Sequence, residues 1–199
     1  METKNVVLMK MARESLAGKW GLAIATFLVY ILIVGAFPGT SRIFPLAGLA
    51  GLIISGPLML GIATFSLSLA RNQEARIEQV FAGFNNFMIA LVAYLLMILF
   101  IILWMILLII PGIIAAISYS LTFYIIADDD SIGAMEAIDK SKMMMDGYKW
   151  KFFCLMLRFL GWALFCILTL GIGFLWLMPY IQVTVAKFYD DVKANHPVI

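Results

Sequence analysis

Residues Met88–Ala127 read MIALVAYLLMILFIILWMILLIIPGIIAAISYSLTFYIIA, forty residues without one charge. As a single helix they would run about 60 Å, twice the ~30 Å hydrocarbon core of a bilayer. The stretch must therefore fold back on itself. Pro111-Gly112 supplies the break just past its midpoint, since proline removes a helical donor and glycine accepts a turn. Two membrane helices are predicted, near 88–110 and 113–127.

Three more apolar stretches follow the same rule. Trp20–Phe37 is long enough for one crossing, and Ile43–Leu69 is overlong for one. Phe152–Ala186, with Arg158 as its one charge, is long enough to cross and return. This last run divides at Leu170-Gly171-Ile172-Gly173, and Pro38-Gly39-Thr40-Ser41 separates the first two. The predicted fold is an all-α membrane protein of six transmembrane helices in three hairpins, near 20–37, 43–69, 88–110, 113–127, 152–170 and 173–187. Pro57 inside the second helix predicts a tilt or kink. The first apolar run follows a long polar lead, so it is expected to be retained rather than cleaved as a signal. The chain is expected to form one polytopic domain over residues 1–199.

Composition agrees with this. The chain is 64% hydrophobic and 13% charged, and its mean hydropathy is +1.02. Soluble domains have about 45–50% apolar and about 25% charged residues. A soluble globular domain and a disordered chain are both excluded. No dense basic run invites nucleic acid. Cys154 and Cys166 lie in one predicted helix, about 18 Å apart, too far for a disulfide.

Charge placement predicts the topology. Basic residues fall in the N-terminal lead (Lys4, Lys10, Arg13, Lys19), after the second helix (Arg71, Arg76), after the fourth (Lys140, Lys142, Lys149, Lys151) and in the tail (Lys187, Lys193). Arg42 stands alone on the other side. By the positive-inside rule both termini are cytoplasmic.

A short motif precedes each hairpin: Glu14-Ser15-Leu16-Ala17-Gly18-Lys19-Trp20, Val80-Phe81-Ala82-Gly83-Phe84-Asn85-Asn86-Phe87, and Met143-Met144-Met145-Asp146-Gly147-Tyr148-Lys149-Trp150. An amphipathic segment ending in glycine and an aromatic suits the cytoplasmic headgroup layer, so an internal threefold repeat is expected. In Ser131–Asp146, residues Ala134, Met135, Ile138 and Met145 are expected to share the apolar face. Asp128-Asp129-Asp130-Ser131 offers N-cap candidates for that helix. Ala47, Gly51 and Ser55 form a small-residue ridge suited to close helix contact.

The order and spacing of Ile109-Ile110-Pro111-Gly112-Ile113, Gly147-Tyr148-Lys149-Trp150, Phe159-Leu160-Gly161-Trp162, Thr169-Leu170-Gly171-Ile172-Gly173 and Pro179-Tyr180 resemble a bacterial family of polytopic membrane proteins catalogued as a domain of unknown function. That family is similar to the membrane domain attached to some glycerophosphodiester phosphodiesterases. The resemblance implies a bacterial inner-membrane, multi-pass protein and carries over no catalytic residue.

Within the predicted membrane helices there is no Asp, Glu or His, and the single His196 is near the end of the chain. A proton relay, a hydrolase triad and a metal cluster all lack their groups. No enzyme activity, metal or cofactor is expected. The charged residue within the apolar runs, Arg158, is the first candidate for a site. Gln182 falls at similar depth on the returning helix, so Arg158 is expected to bond Gln182, Tyr180 or a carbonyl freed by Pro179. With Lys149 and Trp150 these residues form a candidate site for an anionic headgroup, since guanidinium matches phosphate. The expected role is a non-enzymatic membrane protein handling or sensing lipid or another amphipathic anion. The alternatives are a scaffold, regulatory or immunity-like protein acting through a membrane protein partner or a second copy, or a small transporter with a polar cavity near Ser118, Thr122 and Gln182.

Overall fold

The structure is a computed structural model that describes residues 3–40 and 46–195. Among these residues it is all helical: α1 (Asn5–Leu16), α2 (Trp20–Thr40), α3 (Leu46–Ala70), a 3-10 helix (Ile77–Phe84), α4 (Phe87–Leu107), α5 (Ile109–Ser118), α6 (Thr122–Asp128), α7 (Ala134–Met144), α8 (Lys149–Leu168) and α9 (Phe174–Asn195). Ser41, Arg42 and His196 lie outside the described residues, as does the side chain of Ala47.

Four stretches are long and apolar enough to cross a membrane: Ala50–Ala70, Phe87–Leu107, Ile109–Asp128 and Lys149–Leu168. A fifth appears if α1 and the described part of α2, whose axes differ by 97°, count as one broken span. The helix expected at 173–187 is α9. Its apolar part ends at Ala186, and the helix continues through Lys187, Asp190, Asp191 and Lys193.

The chain turns at Leu108, extended at φ −160° and ψ 141°, and not at Pro111-Gly112. Pro111 sits in the first turn of α5, where a helix needs no N–H from it. Gly112 is there for contact: a Cβ on it would lie 2.4 Å from Met105 Cγ. The helix expected over 113–127 is interrupted between Ser118 and Thr122. Ser118, Ser120 and Thr122 each donate their hydroxyl back to a carbonyl of the preceding turn, which competes with the helical ladder.

The repeat motif is structural at its two ends. Gly18 and Gly147 both take positive φ, +76° and +79°, linking α1 to α2 and α7 to α8. Without a Cβ, glycine adopts this conformation cheaply. The middle copy differs, forming a 3-10 helix with Gly83 pressed on α3. A Cβ at Gly83 would lie 2.0 Å from the Pro57 carbonyl oxygen, and one at Gly61 1.9 Å from that of Val80. α3 makes a close contact here, with Pro57 inside the helix, and another on α4, where a Cβ at Gly56 would lie 2.6 Å from the Ala90 carbonyl oxygen. Ser55 instead donates its hydroxyl to its own helix at Gly51.

The α7 face is also shifted. Ile138 and Met145 are buried as expected, together with Ala137, Ser141 and Met144, while Met135 is exposed and Ala134 half-buried. The helix packs on α4 and α6, so the tertiary contact selects the face. The N-cap of α7 is Gly133, without a side-chain bond. Asp128 instead closes α6, Asp129 accepts from the N–H and hydroxyl of Ser131 at 3.1 and 2.6 Å, and Asp130 accepts from Asn86 at 3.0 Å.

Candidate functional site

Charged residues from distant parts of the chain meet at one end of the bundle. Arg71, just past α3, donates to Asp128 at 2.5 Å and to Asp190 of α9 at 2.7 Å. Tyr189 and Lys193 of α9 also bond Asp128. Lys151 at the start of α8 donates to Asp191 at 2.8 Å, which also accepts from Thr3. Hydrogen bonds to Asp128 and Asp190 hold the Arg71 guanidinium above its ordinary value. Spacing along one helix carried no signal for this network, because its members are 57 and 119 residues apart. Every carboxylate in it has a cationic partner, so it reads as a clamp on α3, α6, α8 and α9.

The expected site residues fall in different places. Gln182 bonds to Tyr124, whose hydroxyl lies 2.5 Å from its Oε1 and 3.2 Å from its backbone oxygen. Both line a cavity of about 390 Å³ inside the bundle, shared with Tyr30, Ser120 and four methionines. Lys149 lines a separate cleft with Lys142, and Trp150 is 74% exposed and stacks on Phe153. Arg158 is exposed on α8 and makes no hydrogen bond or ion pair among the described residues. The bond expected from Arg158 to Gln182 is absent. Arg158 faces outward from α8, whereas Gln182 is turned to Tyr124.

Tyr180 belongs to a groove between α1, α2, α8 and α9. Its hydroxyl donates to the Met9 carbonyl at 3.1 Å, and its ring meets Phe159 edge-on at 5.4 Å. The Arg13 guanidinium lies 5.8 Å from the ring centre, in reach of a cation–π contact. Trp20, Trp162, Trp176 and Cys166 complete the walls of a groove of about 210 Å³. Arg13 is exposed and has no carboxylate partner among the described residues. Arg158 lies one turn before Trp162 on the same face of α8. The α8–α9 turn closes one end: Leu170 and Gly171 take positive φ, and Thr169 accepts from the Gly173 N–H at 3.1 Å. Sequence reading missed Arg13 because it sits in a polar lead. The sharp turn at Gly18 brings it against α9.

Chemically the groove offers a guanidinium without a carboxylate partner, above an aromatic floor. It has no carboxylate or imidazole beside Cys166 among its lining residues to act as a base. Among the described residues no group of three or more His, Cys, Asp or Glu side chains is arranged to hold a metal.

The profile of a family described as a protein of unknown function, DUF975, matches residues 1–118 and 105–196. The chain belongs to the DUF975 family. Nothing among curated proteins matches this DUF975 chain, and nothing among solved structures does.

Proposed function

We propose that this DUF975 protein is a multi-pass protein of the bacterial cytoplasmic membrane that binds anionic phospholipid without catalysing a reaction. In this reading the chain crosses six times, through α2, α3, α4, the α5–α6 pair, α8 and α9, with both termini in the cytoplasm. The meeting of residues from the N-terminal lead, the α3 end, the α8 start and α9 in one network supports a common cytoplasmic end.

The observation that carries the ligand class is Arg13 over Tyr180 at the mouth of an aromatic groove, with Arg158 one turn from Trp162. A phosphate meets guanidinium as a charge-assisted pair, and acyl chain packs on indole. Tryptophan and basic side chains together suit the membrane interface.

The test is lipid analysis of the full chain purified in mild detergent. Copurified phospholipid should be enriched in anionic species over the source membrane. Arg13→Gln and Arg158→Gln should each reduce that enrichment, and Arg158→Lys should retain more of it. Lipid of bulk composition in all four proteins would overturn the reading.

A further inference from the structure

The groove at Arg13 has a counterpart elsewhere in the chain. Gly18 and Gly147 both stand at positive φ. With the sequence aligned on these two glycines, the buried stripe Leu8, Ala12, Ser15 and Leu16 of α1 falls on Ala137, Ser141, Met144 and Met145, and all eight are buried. The same alignment carries Arg13 onto Lys142 and Trp20 onto Lys149.

The turn between α4 and α5 repeats a spacing found around the α8–α9 turn, and of its trio Tyr119 lines the second cleft. Met105, Gly112 and Tyr119 follow one another at the same spacing as Cys166, Gly173 and Tyr180. In both copies the glycine is pressed on the first member of its trio: a Cβ on Gly112 would be 2.4 Å from Met105, and one on Gly173 2.7 Å from Cys166. The packing partners rotate in step. The segment α1 packs on α9, α7 packs on α4 and α6, and the 3-10 helix packs on α3.

Lys142, Lys149, Trp104 and Tyr119 line a cleft of about 200 Å³, close to the volume of the Arg13 groove. Lys142 is exposed and has no ion-pair partner among the described residues. Lys149 has a long contact of 3.8 Å to Asp146, itself 85% exposed. At the third position the cavity is lined by Asn85, Asn86, Thr64 and Asp130 and contains no basic side chain.

We propose that the Lys142–Lys149 cleft is a second phospholipid phosphate site, so that one chain holds two anionic lipids and not three. The inference rests on lipid binding at the Arg13 groove. Two lysines at a membrane surface strengthen anion binding roughly 30-fold.

Native mass spectrometry of the full chain in neutral detergent tests this, with phosphatidylglycerol as probe, phosphatidylcholine as the zwitterionic control and glycerol phosphate as the soluble competitor. The wild type should retain two phosphatidylglycerol molecules and discriminate against phosphatidylcholine. Arg13→Gln should retain one. Lys142→Gln/Lys149→Gln should also retain one, the lost site being weakened roughly 30-fold. Lys142→Arg/Lys149→Arg should restore two, which separates loss of charge from misfolding. Two lipids on the Lys→Gln double variant would overturn the second site, as would one lipid on the wild type that Arg13→Gln alone removes. That second outcome leaves the first site standing, whereas no preference for phosphatidylglycerol at all sinks both. Displacement by glycerol phosphate at equal concentration would overturn a lipid as the occupant.

Discussion

The hydroxyl of Ser141 receives the N–H of Leu121 at 3.2 Å and donates in turn to the Ser118 carbonyl at 2.8 Å. It fills the gap between α5 and α6, and it is fully buried. Within a membrane protein, backbone groups left by a broken helix need such a partner. Ser141→Ala leaves a buried donor and acceptor unpaired, which costs about 1–3 kcal/mol. A lower apparent Tm in detergent should report it, and an unchanged Tm would show that the break does not depend on Ser141.

Arg71 is the hinge of the charged clamp. Its side chain is 28% exposed, and those of Asp128 and Asp190 are 14% and 31% exposed. Arg71→Ala strands Asp190 and leaves Asp128 with Lys193 and Tyr189 alone, and partial exposure reduces the ~3–5 kcal/mol of a fully buried pair to about 2 kcal/mol. Asp190→Asn should cost less, because Arg71 keeps Asp128. Denaturation midpoints of the two variants give the order, and equal losses would refute it.

Glycines divide by their surroundings. Gly61→Ala places a Cβ 1.9 Å from the Val80 oxygen and must push the 3-10 helix off α3. A loss of about 3 kcal/mol or failure to accumulate is expected, in the upper range for overpacking. Gly161 lies within α8 with nothing within 4 Å of its Cβ position. Gly161→Ala should therefore stabilise by about 0.5–1 kcal/mol through helix propensity. Parallel thermal scans of the two variants decide this.

Topology is open to direct measurement. Leu170 is 94% exposed at the α8–α9 turn and so offers the insertion point, whereas Gly112 is packed on Met105. Alkaline phosphatase inserted at Leu170 should be active, and a fluorescent protein fused at the C-terminus should glow. The reverse pattern would invert the orientation.

Gly18 and Gly147 hold the cationic helices against their grooves. Ala at either position costs about 1–2 kcal/mol in the left-handed region, while Asn is tolerated better. Gly18→Ala should weaken lipid retention at the Arg13 groove and leave the other copy intact. Lipid counts by native mass spectrometry check this.

Apolar run lengths and the glycine–aromatic motif were sufficient to read off an all-helical chain with several spans apolar enough to cross a membrane, whereas Pro38-Gly39 and Pro111-Gly112 proved to lie inside α2 and α5. Those features are local, since each follows from the fixed rise of a helix per residue and from what proline and glycine do to a backbone. The same fixed rise per residue gave the expectation that Arg158 and Gln182 lie at similar depth. Which faces meet was not legible. Gln182 turned to Tyr124, Asp128 to Arg71, and Arg13 to Tyr180, each pair drawn from distant parts of the chain. Neighbour order and rotation about each axis depend on the summed packing of the bundle, including close approaches such as Gly61 on Val80. Sequence alone determined the helices and where charge is scarce; only the tertiary structure decided which polar groups are paired and which cations stand without a carboxylate.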